Sequence, residues 1–268
     1  MQAPYPGDAG SRPLAIVMST ELHTEHNPVG ESGPAAGTRR IRSFVRRAGR
    51  ITLAQERALQ HDWPRYGIDL PSTMQCESAL DLHEIFGRDA PKVLEIGFGN
   101  GDTLLNVASQ QPERDFLGIE VHRAGVGRLL HEAARLDLGN LKLICHDAVD
   151  VLAHHLNGPC LDEVWILFPD PWHKARHHKR RLIQDSFIEL LASRMREGAL
   201  LHLATDWQPY AEHMLEVMSA SARFRNLAAA GSSGYVTRPD WRPLTRFERR
   251  GQRLGHGVWD LGFARTAD

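Results

Sequence analysis

The sequence predicts an α/β fold: a mostly parallel, twisted sheet with helices on both faces. Two observations carry this expectation. Short apolar segments with strand character alternate with segments of helical period between residues 92 and 218, and the first such strand runs straight into a glycine-rich turn, Gly97-Phe98-Gly99-Asn100-Gly101. Alternation of this kind implies right-handed βαβ crossovers and a sheet buried on both sides. Size agrees, since 268 residues at 42% hydrophobic content suffice for one large domain with a sizeable core.

Lys92-Val93-Leu94-Glu95-Ile96 reads as a buried strand, followed by a helix from Asp102, taken as its N-cap, to the break at Pro112. Phe116-Leu117-Gly118-Ile119 is a second strand. Val126, Leu129, Leu130 and Ala133 repeat at helical spacing, with Gly139 as the expected C-cap. Residues 141–145 and 163–168 are further strands. Ile183, Phe187, Leu190 and Leu191 mark a helix stopped near Gly198, residues 199–204 a fifth strand, and Met214, Val217 and Met218 one face of the next helix. Residues 1–38, rich in Pro, Gly, Ser and Ala without periodicity, read as a disordered tail before a domain over 39–268. No internal repeat interrupts the pattern.

Charge balance is nearly neutral, with a net charge of −1, so bulk charge does not by itself indicate a nucleic-acid partner. The basic residues are clustered, however. Arg39, Arg40, Arg42, Arg46, Arg47 and Arg50 surround Phe44, a run that suits a phosphate backbone and equally suits a solvated leader. Cys76, Cys145 and Cys160 form no C-x-x-C pair, and an odd number argues against a disulfide framework, so a cytoplasmic setting is expected. No apolar run has the length to cross a bilayer, and the N-terminus lacks a basic segment followed by an apolar stretch.

Ligands of open α/β sheets bind beyond the carboxyl ends of the strands, so those ends hold the candidate site. Gly97 and Gly99 allow a tight turn and a close backbone approach. A dinucleotide fingerprint, G-x-G-x-x-G, would place glycine where Asp102 stands; here the spacing is G-x-G-x-G behind the acid Glu95. Glu120 ends the second strand, where an acid can accept ribose hydroxyls; nicotinamide enzymes use the same device, so Glu120 indicates a nucleoside without choosing the cofactor. Asp147 follows the third strand, with an ordinary loop aspartate as the competing reading. Phe168-Pro169-Asp170-Pro171-Trp172 closes the fourth, its prolines restraining the backbone around the acid. Behind it lie Lys174, Arg176, Lys179, Arg180 and Arg181, interspersed with His173, His177 and His178.

The F-P-D-P-W-x-K segment with its basic continuation resembles the tRNA (guanine-N7-)-methyltransferase family. So do Ala204-Thr205-Asp206, the stretch Arg242-Pro243-Leu244-Thr245-Arg246-Phe247-Glu248-Arg249-Arg250-Gly251, and Leu254-Gly255-His256. The resemblance spans roughly residues 42–264. Arg246 departs from it, standing where the family pattern has lysine. It implies a Rossmann-like class I methyltransferase fold, S-adenosyl-L-methionine as cofactor, tRNA as partner, and transfer to a guanine N7 that in the family lies in the variable loop. It also implies roles. Glu95, Gly97, Gly99, Glu120, Asp147 and Asp170 face the cofactor, and Asp170 is catalytic. Lys174, Asp206, Thr245, Arg246, Phe247 and Glu248 contact substrate. Arg176, His177, His178, Lys179, Arg180 and Arg181 form an RNA-interacting loop.

Guanine N7 carries an in-plane lone pair, so attack on a methyl sulfonium needs no general base; positioning and field effects suffice. Other readings stand beside this one. His173 and His177 have the i,i+4 spacing of a helical metal pair, but no H-E-x-x-H occurs and the surrounding cations oppose a divalent ion, so no metal is expected. A non-catalytic RNA-binding module, a methyltransferase acting on another RNA, a protein or a small molecule, and a nicotinamide oxidoreductase are the remaining alternatives.

Overall fold

The computed structural model describes residues 42–44, 50–70, 79–244, 248 and 257–267. The expected tail, residues 1–38, lies outside them, as do Thr245, Arg246 and Phe247 and the segments 249–251 and 254–256.

Helices α1 (Leu53–His61), α2 (Trp63–Tyr66) and α3 (Leu82–Phe86) precede an alternating series. It runs β1 (Lys92–Ile96), α4 (Asp102–Gln110), β2 (Asp115–Ile119), α5 (Arg123–Arg135), β3 (Leu141–Ile144), α6 (Ala148–His154) and β4 (Leu161–Leu167). It continues through a 3₁₀ turn (Ala175–Arg180), α7 (Asp185–Ala192), β5 (Met195–Thr205), α8 (Gln208–Ala220), β6 (Phe224–Asn226) and β7 (Trp259–Arg265). The strands form a seven-stranded sheet in the order β3-β2-β1-β4-β5-β7-β6. β1 to β5 pair in parallel, and β7 runs antiparallel between β5 and β6.

Period-two alternation sends neighbouring strand residues to opposite cores. Leu94, Ile96, Val164 and Ile166 pack with Phe187, Leu191, Met214 and Met218, whereas Val93, Trp165 and Leu167 pack with Leu104, Val126, Leu129 and Leu130. Helices therefore cover both faces, as the sequence predicts. The strand order reverses between β1 and β4, which opens a crevice beyond their carboxyl ends.

Several local expectations are corrected. Gly101, at φ 76°, is the N-cap of α4, and Asp102 is its first residue, its carboxylate paired with Arg128 at 2.6 Å. The helix before residue 139 ends at Arg135, and Asp137 rather than Gly139 takes the left-handed conformation, φ 52°. Gly198, at φ 77°, sits inside β5 instead of before it. Phe168 leaves the strand at φ 54°. The opening helices have no counterpart in the sequence reading, although α1 carries a full capping box, Thr52 with Gln55. β6 and β7 were not foreseen either.

Candidate active site

Two crevices open at the carboxyl ends of the strands. The first, about 180 Å³, is lined by Gly97, Glu120, His146, Asp147 and Asp170, together with Ser43 and Phe44. The second is lined by Glu95, Gly97, Gly99, Asp102, Asp170, Asp206 and Glu248. Gly97, Leu167, Phe168 and Asp170 line both, so Asp170 stands on the boundary between them.

Backbone geometry builds the first crevice. Gly97 and Gly99 have φ of 73° and 57°, and a Cβ at either would point into open space, so the turn presents bare backbone to a ligand. Gly125 lets α5 close on that turn, because a Cβ there would lie 2.0 Å from the Gly99 carbonyl oxygen. Glu120 is pinned by backbone donors: Gly99 N–H to Oε2 at 2.8 Å, and Val121 and His122 N–H to Oε1 at 2.7 and 2.9 Å. Of about four lone-pair positions on a carboxylate, one remains for a ligand hydroxyl. Asp147 caps α6 by accepting from Val149 N–H at 3.1 Å.

Asp170 is exposed at the tip of a strained turn. Phe168 and Trp172, which bracket Pro169-Asp170-Pro171, have φ of 54° and 47°, a conformation costing a non-glycine residue about 1–3 kcal/mol each. The turn is held from outside. Trp172 Nε1 donates to Ser43 O at 3.0 Å, Arg180 donates to Arg42 O and Phe44 O at 3.1 Å each, and the Arg180 guanidinium lies 3.9 Å from the Trp172 ring centroid.

Electrostatics distinguish the second crevice. Glu95 is buried, its Oε2 has no hydrogen-bond partner, and burial, with Glu120 and Asp102 nearby, pushes its carboxyl up to about 8. Glu248 pairs with Arg242 at 2.7 Å, and Arg242 bonds Asp260 through Nε at 3.0 Å and Nη2 at 2.9 Å. Burial alone would raise Asp260, but hydrogen bonding to His202 and the Arg242 charge outweigh it and hold that carboxyl below its ordinary range.

The expected cofactor acids and turn glycines thus converge on the two crevices, and Asp206 and Glu248 join Glu95 in the second. Lys174 and the 3₁₀ turn line neither crevice. Lys174, Arg176 and Lys179 are exposed, while His177, His178 and Arg180 are half-buried. Arg181, grouped in the sequence with the RNA-facing loop, is buried instead: Nε donates to Pro171 O at 3.0 Å and the guanidinium packs 4.8 Å from the Tyr210 ring centroid. His173 meets Trp207 edge-on at 4.4 Å. Among the described residues no group of three or more His, Cys, Asp or Glu could hold a metal, and no helix is long and apolar enough to cross a membrane. Sequence reasoning missed Ser43 and Phe44 as crevice walls and the Arg242–Asp260–His202 cluster. Phe44 stood out as the aromatic in a basic run, but nothing local places its carbonyl against Arg180.

This site suits a cationic nucleoside. Bare turn backbone, a pinned acid at the second strand end and a buried carboxylate oxygen lacking a donor fit the adenosyl, ribose and charged ends of S-adenosylmethionine. Fold and site define a class I methyltransferase.

Comparison with known proteins agrees. Residues 89–261 match a family model described as "Putative methyltransferase". Curated tRNA (guanine-N(7)-)-methyltransferases are similar over most of their length: that of Serratia proteamaculans is 54% identical over 85% of this chain and 92% of its own. That of Stutzerimonas stutzeri is 50% identical over 90% and 99%, and that of Yersinia pseudotuberculosis is 55% identical over 85% and 92%. Among solved structures, the 16S rRNA methyltransferase KamB superposes with a TM-score of 0.53 at 18% identity, covering 71% of this chain and 96% of KamB, and shares the fold. The chain belongs to the tRNA (guanine-N(7)-)-methyltransferase family.

Proposed function

We propose that this protein transfers the methyl group of S-adenosylmethionine to N7 of a guanine in tRNA, the variable-loop guanine being the family's target. The observation that carries the reading is the place of Asp170, on the boundary between a crevice lined by the turn glycine Gly97 and the strand-end acids Glu120 and Asp147 and a cavity walled by carboxylates.

Bound in the first crevice, the cofactor supplies an electrophilic methyl. The protein's residues do the rest by binding and by field. Glu120 and Asp147 hold the nucleoside, and Glu95 offers its unpartnered oxygen to a cationic group. As N7 is alkylated, positive charge enters the purine, and Asp170, Asp206 and Glu248 stabilise it. The same carboxylates accept from guanine N1–H and its exocyclic amine. Adenine lacks this donor pattern and leaves these acceptors, the buried Glu248 among them, without purine donors. The exposed cations Lys174, Arg176 and Lys179 meet phosphates, which makes binding salt-dependent.

Incubation with methyl-labelled cofactor and bulk tRNA, followed by digestion to nucleosides, is expected to yield labelled 7-methylguanosine. Label in another nucleoside would move the substrate elsewhere, and no incorporation into any RNA would remove the assignment.

A further inference from the structure

We propose that Arg242 is a positioning residue for methyl transfer: its buried guanidinium ties together the two walls of the acid-lined cavity and sets where Glu248 meets the purine. The inference rests on reading that cavity as the guanine site.

Arg242 is fully buried. One edge of its fork holds Asp260 at 3.0 and 2.9 Å, and the remaining nitrogen holds Glu248 at 2.7 Å. Its guanidinium carbon lies 5.4 Å from the Phe168 ring centroid. Phe168 and Glu248 both line the cavity, on opposite segments of chain: Phe168 begins the turn that carries Asp170, and Glu248 belongs to the segment before β7. Asp260, the anchor, is in register with Ala204 at the end of β5 and bonded to His202 at 2.7 Å. The neighbouring Trp241 stacks on Trp165 of β4, with centroids 4.2 Å apart at 16°, which plants the segment on the sheet before Arg242 turns inward.

A buried ion cluster is a poor device for stability alone, because desolvation cancels much of its attraction and an apolar filling would serve as well. A planar fork does something apolar packing does not: it holds Asp260 through two nitrogens while its third lies 2.7 Å from Glu248 on a separate segment. Lysine keeps the charge but has no planar fork, so it cannot grip Asp260 through two parallel bonds while facing Glu248.

The test is a double-mutant cycle of wild type, Arg242→Lys, Glu248→Gln and the double variant, with kcat and KM for tRNA, adenosylhomocysteine affinity and thermal midpoint measured for each. Arg242→Lys is expected to lower kcat about 100-fold, the scale of a misplaced reacting group. Cofactor-product affinity should stay within about twofold, since neither Arg242 nor Glu248 lines the first crevice. The double variant should be no slower than Glu248→Gln. Losses that multiply, or a wild-type kcat in Arg242→Lys, would overturn the proposal and leave Arg242 a structural residue. Should Arg242→Lys fail to fold, Asp260→Asn keeps the cation and loosens its anchor, and carries the same expectation against Glu248→Gln. The wild-type arm separately reports whether guanine N7 of tRNA is the acceptor at all.

Discussion

The two ends of the sheet treat buried charge in opposite ways. At the amino ends Asp115, Asp162 and Glu163 each have a basic partner. Asp115 is shared by Lys92 at 3.0 Å and Arg88 at 2.7 Å, Asp162 takes the Lys92 N–H at 2.7 Å and Arg196 at 2.8 Å, and Glu163 takes Arg114 and the Trp165 indole. At the carboxyl ends acids outnumber their partners. Glu95 keeps a buried oxygen without a donor, and Asp170 and Asp206 stand exposed on the same cavity. Matched charge closes one end of the sheet; surplus carboxylate leaves the other receptive to cations and to a purine acquiring charge.

The sharpest break in this contrast is Asp170→Ala. Removing a charge aimed at the reacting centre should lower kcat about 10³-fold while tRNA affinity holds; near-wild-type turnover would strip Asp170 of its role. At the other end, Asp115→Ala should do the reverse. It leaves Lys92 buried without its acid, which costs about 3–5 kcal/mol in urea unfolding, and turnover per folded molecule should not change. A parallel fall in both would mean the ends are not separable.

Glu95→Gln is the subtler probe. With a carboxyl near 8 in the folded protein against an ordinary 4.5, the folded state holds a proton that the unfolded chain releases. The resulting stability is fully present below pH 4.5 and is lost as pH rises through about 8. The unliganded protein should therefore melt at lower temperature at pH 9 than at pH 6, and Glu95→Gln should flatten that difference. Cofactor binding near pH 7 should release close to one proton as the carboxylate ionises against a cation. Calorimetry in buffers of different ionisation enthalpy measures this, and an unchanged proton count in the variant would assign the release elsewhere.

Much of the candidate site was legible in the sequence because its lining follows from strand ends. Glu95, Gly97, Gly99, Glu120, Asp147 and Asp170 each lie at or just after a parallel strand, so period and turn chemistry were enough to bring them to one edge. The sequence reading failed where function is shared across the chain. Arg181 reads as one more cation in a basic run, yet Tyr210, on α8, gives it a buried ring to lie against. Ser43 gains its role only by meeting Trp172, and Arg42 and Phe44 theirs only by meeting Arg180.

From composition and period alone, this chain determined its alternating elements, the turn that bares its backbone and the acids that follow each strand. These are local consequences of side-chain alternation and of glycine's freedom at positive φ. Tertiary structure alone decided which cations go inward and which stay exposed. It also decided that an antiparallel last strand brings Asp260, and with it Arg242 and Glu248, beside the turn of Asp170. Those outcomes depend on burial and on contacts between residues far apart in sequence, and a charged side chain carries no local mark of the partner that will neutralise it.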